Sequence, residues 1–456
     1  MANRPRTVRR HSVIVVALVA LAAIARFAPS AGGADWPQFR GPLGDGRSVE
    51  TELPGEWGSG HPNIAWKRAI PGRGWSSPIV VGERVYVTTA VATSGKPGGR
   101  ELQSLRALAV DARSGEVVWN VEVFAPDPAA STQAHAKNSH ASPTPLSDGE
   151  SLWVHFGTNG TARLDLDGTV RWRQRDLRYE PVHGGGGSPL LVGGVLVIAC
   201  DGAADPFVAG IDAREGRIRW RTPRPESSGK LFAFSTPITI PAPRDRGGGK
   251  PQVFVPGADW AASYDAADGR ELWRVRHGGY SVVARPVAGH GLVFFASCYD
   301  QSTLLAVRTG GSGDVTAQGI AWSDSKSAPH NPSPVLDGDE LYCVSDKGIA
   351  SCFDARTGKV HWRERLGGSH SGSPFVAGGR VWFQSEDGET IVIRATKERL
   401  DVLARNDLGE RSLASPAPSG GAVFVRTEKH LWCVRSPGAG AAASGRLPGA
   451  GGEGER

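Results

Sequence analysis

One phrase recurs along this chain, with a tryptophan always at the same point in it. The clearest copies are DARSGEVVW (Asp111–Trp119), DAREGRIRW (Asp212–Trp220), DAADGRELW (Asp265–Trp273) and DARTGKVHW (Asp354–Trp362). In each, Asp and Trp stand eight positions apart, with a Gly four before the Trp. A shorter copy, DLDGTVRW, ends at Trp172, and a looser one ends at Trp322. Trp66, in NIAWKRAIPG, has no such phrase ahead of it.

A second marker opens each unit: a small or polar residue, a Pro, then an apolar run. It falls at Ser77-Pro78, Ser142-Pro143, Ser188-Pro189, Thr236-Pro237, Arg285-Pro286, Ser333-Pro334, Ser373-Pro374 and Ser415-Pro416. The prolines are 65, 46, 48, 49, 48, 40 and 42 residues apart. A period of about 40–50 residues marks a propeller or a solenoid. The content of the units decides between them. Runs such as SPIVVGERVYVTT (Ser77–Thr89) and SPFVAGGRVWFQS (Ser373–Ser385) are short β-branched and aromatic stretches broken by turn glycines. They read as hairpins, and no window holds a helical apolar stripe. Each unit is therefore four strands, A to D, with the Asp on C and the Trp on D. This is a propeller blade.

Eight openings give eight blades. The eighth, from Ser415, stops near Arg435 without an outer strand, whereas Asn63–Pro71 is an outer strand without a blade. Joining the two leaves no unpaired edge. The expected fold is a single all-β, eight-bladed β-propeller over residues 63–435, closed by its N-terminal strand. The 61 Gly and 32 Pro suit a turn-rich chain, and large closed β folds run as one domain.

The ends read differently. Residues 1–34 have a basic start (Arg4, Arg6, Arg9, Arg10), an apolar stretch from Val13 to Ala25 and a small-residue exit. That is the pattern of a secretory signal, with an uncleaved anchor as the alternative. Residues 35–62 form an N-terminal extension, and 436–456, rich in Gly and Ala, read as a disordered tail. The chain is expected to be exported, to the periplasm, the cell envelope or beyond, with no transmembrane span in the mature protein. The leader also explains the charge. Five of the 52 Lys and Arg lie there and none of the 46 Asp and Glu, which leaves 47 against 46. With no basic patch carrying interleaved aromatics, nucleic acid is not an expected partner. The cysteines, Cys200, Cys298, Cys343, Cys352 and Cys433, match no zinc spacing. Buried free thiols are the favoured reading, with a Cys343–Cys352 bridge as the alternative.

The Asp-to-Trp phrase resembles the tryptophan-docking motif of propellers of the pyrroloquinoline-quinone (PQQ) type. The opening WPQFRGP (Trp36–Pro42) is similar to a segment of exported bacterial members of that group. The resemblance covers nearly all of residues 63–435. It implies that Trp66, Trp119, Trp172, Trp220, Trp273, Trp322 and Trp362 each lock one blade to the next. It also implies two kinds of function, since the group holds quinoprotein alcohol and sugar dehydrogenases and non-enzymatic propellers of the BamB type. The dehydrogenases carry adjacent cysteines and a carboxylate set that holds calcium beside PQQ. This chain has no adjacent cysteines, and its nearest acidic pair, Asp201 and Asp205, reads more simply as a turn and a cap. No catalytic or metal-ligating residue is assigned, and no cofactor is expected on the favoured reading; PQQ with calcium belongs to the alternative.

The unusual residues gather on one rim. In a blade, the D-to-A connections and B-to-C turns open on one end of the ring, here the mouth rim. The A-to-B and C-to-D turns open on the other, the turn rim. The connections that enter strand A supply His135, Lys137, Asn138, His140, Tyr179, Glu180 and His183. Later ones supply Tyr280, Arg285, His330, Asn331 and His370. Strand A lines the channel, so these groups are expected to face its mouth. Polar groups converging from several blades on a concave site suggest ligand binding. The sequence reading is a non-catalytic, monomeric binding or scaffold module that takes a protein, a peptide or an envelope polymer at the mouth.

Overall fold

The computed structural model describes residues 34–94, 102–128, 133–227, 229–241, 252–297, 299–326 and 328–437. Apart from Ala34, the leader lies outside the described residues, as do Cys298 and the tail beyond residue 437.

Eight separate sheets follow one another along the chain. Blade 1 pairs Ile79–Val81 (A), Arg84–Ser94 (B), Leu102–Asp111 (C) and Val117–Phe124 (D) in that order. Six more blades repeat the order, with strand A opening at Leu146, Leu190, Ile238, Val287, Val335 and Phe375. The eighth has strands A to C at Ala417–Ser419, Ala422–Arg426 and His430–Arg435. Its outer strand is Ile64–Ala69, antiparallel to strand C with Lys67 opposite Trp432. The chain thus closes its ring as the sequence demands, in an eight-bladed all-β propeller. Burial follows position: strand B of blade 5, Leu292–Ala296, is buried at every residue, while strand D of blade 1 alternates toward solvent. Inner strands are covered on both faces by neighbouring blades, so their apolar runs are continuous.

Each unit's tryptophan reaches the turn of the next. Trp66 donates its indole N–H to the Ala112 carbonyl at 3.2 Å, and a Cβ at Gly115 would sit 2.6 Å from its ring. Trp119, Trp172, Trp220, Trp322 and Trp362 donate in the same way to the carbonyls of Leu166, Ala213, Ala266, Ala355 and Thr396. The glycine is therefore needed twice, for its left-handed φ of 72° at Gly115 and for the ring lying against it. Within each blade the Trp pairs across the strand with Ala109, Arg163, Gly210, Ala306 or Cys352.

Two junctions depart from this rule. Blade 5 lacks the Asp-to-Gly turn; its C-to-D segment instead lays Gly313–Asp314 parallel to strand D of blade 4 and adds a short helix, Thr316–Gly319. Trp273 turns inward, fully buried, and donates to Gln252 Oε1 at 2.9 Å. Blade 7 carries Ala404 where the others carry Trp. Trp57 of the N-terminal extension packs into the same cluster as Ala404 and stacks on Trp382, with centroids 5.7 Å apart. Asn406 of strand D holds that segment through the Trp57 N–H and the Gly55 carbonyl.

A belt of hydroxyls surrounds the channel where strand A begins. Except at Thr236, the backbone N–H of each member donates to the hydroxyl of the next blade's member at 2.8–3.1 Å: Ser77 to Thr144, then Ser188, Thr236, and on from Arg285 to Ser333, Ser373, Ser415 and back to Ser77. This belt corrects one boundary. Blade 2 enters strand A at Thr144-Pro145, and Ser142, two residues earlier, instead accepts from the Ser139 N–H. The marker motif occurs twice in that connection, and only the second copy has a neighbour's N–H to receive. Arg285 alone in the belt has no hydroxyl.

The four described cysteines are free and buried. Cys343 pairs across the hairpin with Ser351, and Tyr342 with Cys352, so the two thiols point to opposite faces of the blade. They cannot bond.

Candidate functional site

The mouth rim is built from connections that share little with one another. The longest, between strand D of blade 1 and strand A of blade 2, runs across the opening. Its His135 N–H donates to the His183 carbonyl in the next connection, and Asn138 Nδ2 donates to that same carbonyl at 2.8 Å. On the other side Lys137 Nζ lies 2.6 Å from Glu386 Oε1 in the B-to-C turn of blade 7, where Ser371 also donates. A single loop therefore bridges blade 3 to blade 7.

Aromatic rings form a continuous arc beside it. His135 meets His183 at 5.5 Å, His183 meets Phe232 at 5.4 Å, and Phe232 meets Tyr280 at 5.3 Å. Tyr280 then meets Tyr299 at 6.3 Å, and Tyr299 meets His330 at 6.0 Å. Phe234 packs on both His183 and Phe232. Most contacts are edge-on or tilted, the arrangements that ring quadrupoles favour. Tyr299 is 64% exposed, and His135 at the other side of the arc is exposed as well. Lys230 lies 4.2 Å over the Tyr280 ring and donates to its hydroxyl, which in turn donates to Asp300. The hydrogen bond to Tyr280 raises the Lys230 ammonium above its ordinary range. Burial, then His135 and Lys230, lower His183, so it is neutral at pH 7 and offers one donor and one acceptor.

The sequence-predicted residues divide into four groups. His135, His183, Tyr280 and His330 come together in the arc, with Asn138 and Lys137 shaping its rim. Asn331 and Glu180 organise backbone: Asp346 accepts from the N–H groups of His330 and Asn331 and from the Asn331 side chain, and the Glu180 carbonyl accepts from Ala203. Tyr179 packs inward on the core of blade 3, while His140, in the long loop, is half-buried. His370 and Arg285 are buried. His370 lies within the wall, its ring nitrogens 3.0 and 2.8 Å from the carbonyls of Gln384 and Gly367. Arg285 points down the channel, to the Phe39 and Pro237 carbonyls.

Phe232, Phe234, Lys230 and Tyr299 were not among the sequence candidates. The signal was present: KLFAFS (Lys230–Ser235) enters strand A of blade 4 as the chosen connections enter theirs. The glycine run Gly184–Gly187 lets backbones approach. A Cβ at Gly185 would meet Gly157 at 2.8 Å, and one at Gly186 would meet Phe234 at 2.8 Å.

The opposite end is covered. Residues 34–50 cross the turn rim on the inner strands: Trp36 bridges Val80, Pro37 accepts from Ser147, Ser48 and Gly46 pair with Val376, and Glu50 accepts from Gly420 and Gly421. Among the described residues no three His, Cys, Asp or Glu side chains converge as metal ligands, and Asp201 is locked, buried, to Arg224 at 2.9 and 2.7 Å. So engaged, Asp201 is not a free ligand for a metal.

The family model described as "Outer membrane protein assembly factor BamB" matches residues 103–310 and 257–443. Curated proteins give no match. Among solved structures, BamB from Moraxella catarrhalis aligns with a TM-score of 0.56 at 14% identity, over 82% of this chain and 98% of that one. A europium-containing methanol dehydrogenase aligns at 0.58 and 11% identity, over 88% and 91%. The quinohemoprotein alcohol dehydrogenase ADHIIG from Pseudomonas putida HK5 aligns at 0.55 and 12% identity, over 92% and 82%. At these identities the likeness is one of fold.

Proposed function

This chain belongs to the family described as outer membrane protein assembly factor BamB, and from that premise we propose that it is an exported, non-catalytic module that binds a protein or peptide segment at its mouth rim. The observation that carries the reading is the arc of seven rings, His135, His183, Phe232, Phe234, Tyr280, Tyr299 and His330, contributed by connections and turns of successive blades. Exposed Tyr and His provide broad contact area with polar edges at small entropic cost, which suits peptide recognition. The leader pattern supports export, and the assembly role named for the family supports a protein partner.

Panning a random peptide library against the folded ring tests this. Clones should be enriched whose capture falls at least tenfold on the double substitution Tyr280→Ser/Tyr299→Ser. Enriched clones that bind the double variant equally well would sink the proposal. The alternative, a PQQ-dependent alcohol or sugar oxidoreductase, is supported by two of the structural neighbours at the level of fold. Titration with PQQ and calcium, followed by absorbance and by dye reduction with alcohols and aldoses, decides for it if both signals appear.

A further inference from the structure

Two arginines are buried together in the channel, and the protein leaves part of each unpaired. Arg285 occupies the belt position that is Ser or Thr in every other blade, and is 1% exposed. Arg40, in the extension that covers the turn rim, is 2% exposed and holds a left-handed φ of 66°. Their guanidinium groups use a few backbone carbonyls: Phe39 and Pro237 for Arg285, and Asp45 for Arg40. Three N–H groups, Arg40 Nε and Nη1 and Arg285 Nε, have no partner among the described residues.

The charge is not balanced either. Asp45 is the one carboxylate that acts on both cations, and its oxygens are engaged at 2.8 and 3.0 Å by Arg47. Burial lowers Arg40 to about 10, and burial with the neighbouring Arg40 lowers Arg285 to about 9. Both stay charged at neutral pH. Unpaired buried charge is costly and is seldom tolerated without a counter-ion. The loop that holds Arg40 is shaped around these groups: a Cβ at Gly44 would sit 2.5 Å from Arg285 Nη1, and one at Gly46 would strike Arg40 Nη2.

We infer that Arg40 and Arg285 form an internal binding site for a small oxyanion, a carboxylate or a phosphate, inside the channel and separate from the mouth. Planar guanidinium forks match such groups, and the three free N–H donors supply the hydrogen bonds. The site is independent of the peptide reading and survives its failure.

Melting the intact protein in inorganic phosphate, sulfate or acetate, each against chloride at matched ionic strength, tests the inference. Expected is a saturable rise in Tm of about 5 °C at a hundredfold excess over Kd. Response to phosphate but not acetate assigns a tetrahedral anion; acetate alone assigns a carboxylate. Arg285→Ser, which installs the side chain used by other blades, should abolish the rise. Arg40→Gln provides a second route should that variant not fold. An equal rise in parent and variants would be a general salt effect. That result, or no saturable response to any of the three, overturns the site and leaves water as the partner of these donors.

Discussion

On the turn rim the same few devices recur in most blades: a hairpin, a left-handed glycine and a tryptophan laid on it. On the mouth rim the D-to-A connections run from nine residues (366–374) to 21 (125–145) and differ in composition, and side chains there also meet across blades. Lys137 and Glu386 are 249 residues apart in sequence and 2.6 Å apart in space. The difference separates two jobs. Repetition holds the ring at a fixed number of blades, and the irregular connections are where the blades are free to differ.

Breaking the closure should have the largest effect. Trp66 lies on the single strand that joins the two ends of the chain. Truncating a buried Trp costs about 3–5 kcal/mol, and Trp66→Ala should fall in that range by urea unfolding. Trp172→Ala, at a partly exposed ring inside a continuous stretch, should cost less. Equal losses would mean that the closing junction is no different from the rest.

Acid should separate the rims next. Burial lowers His155 and His277 to about 4, and lowers His370 as well. All three sit at strand ends or connections on the mouth side. Each is neutral in the folded ring, whereas the unfolded chain takes up its protons near pH 6.5. The contribution of His155 and His277 is therefore complete above about pH 6.5 and is lost as pH falls toward 4, and that of His370 is lost in the same direction. For His155, which is 2% exposed, the loss amounts to roughly 3 kcal/mol. His155→Gln should flatten the dependence of unfolding free energy on pH across that window. Amide exchange at pH 5 should rise first on the mouth side, and a uniform rise over both rims would contradict this account.

The scaffold was legible in the sequence because its signal repeats. Cys352 stands two before Asp354, where sister blades hold Ala109 and Gly210, so spacing alone marks that slot as one for a small residue; the structure adds that it lies opposite Trp362. What escaped was non-repeating. Trp57 gives no sign in sequence that it fills the place left by Ala404, because the two are joined only through the ring. The mouth was half legible. The rule that D-to-A connections face the opening found His135, His183, Tyr280 and His330. It could not tell a ring that faces outward from His370, which the wall encloses, or from Arg285, which the channel draws down. Depth along the axis is set by which carbonyls lie within reach, and no local spacing records that.

The smallest expected change in stability makes the sharpest contrast between the rims. Tyr299 on the mouth side and Leu43 on the turn side are 64% and 74% exposed. Replacing either by Ser removes little buried surface, so each should shift stability by less than about 0.5 kcal/mol. Their effects on binding should diverge. Tyr299 is an exposed ring within the aromatic arc, and its loss removes the link between Tyr280 and His330; a peptide selected on the parent should bind Tyr299→Ser severalfold more weakly by fluorescence anisotropy. Leu43→Ser should bind it as the parent does, since the ring and its covering segment lie between that residue and the mouth. If Leu43→Ser weakens binding and Tyr299→Ser does not, the two ends have been assigned the wrong way round, and the exposed apolar residues of the extension become the surface to study.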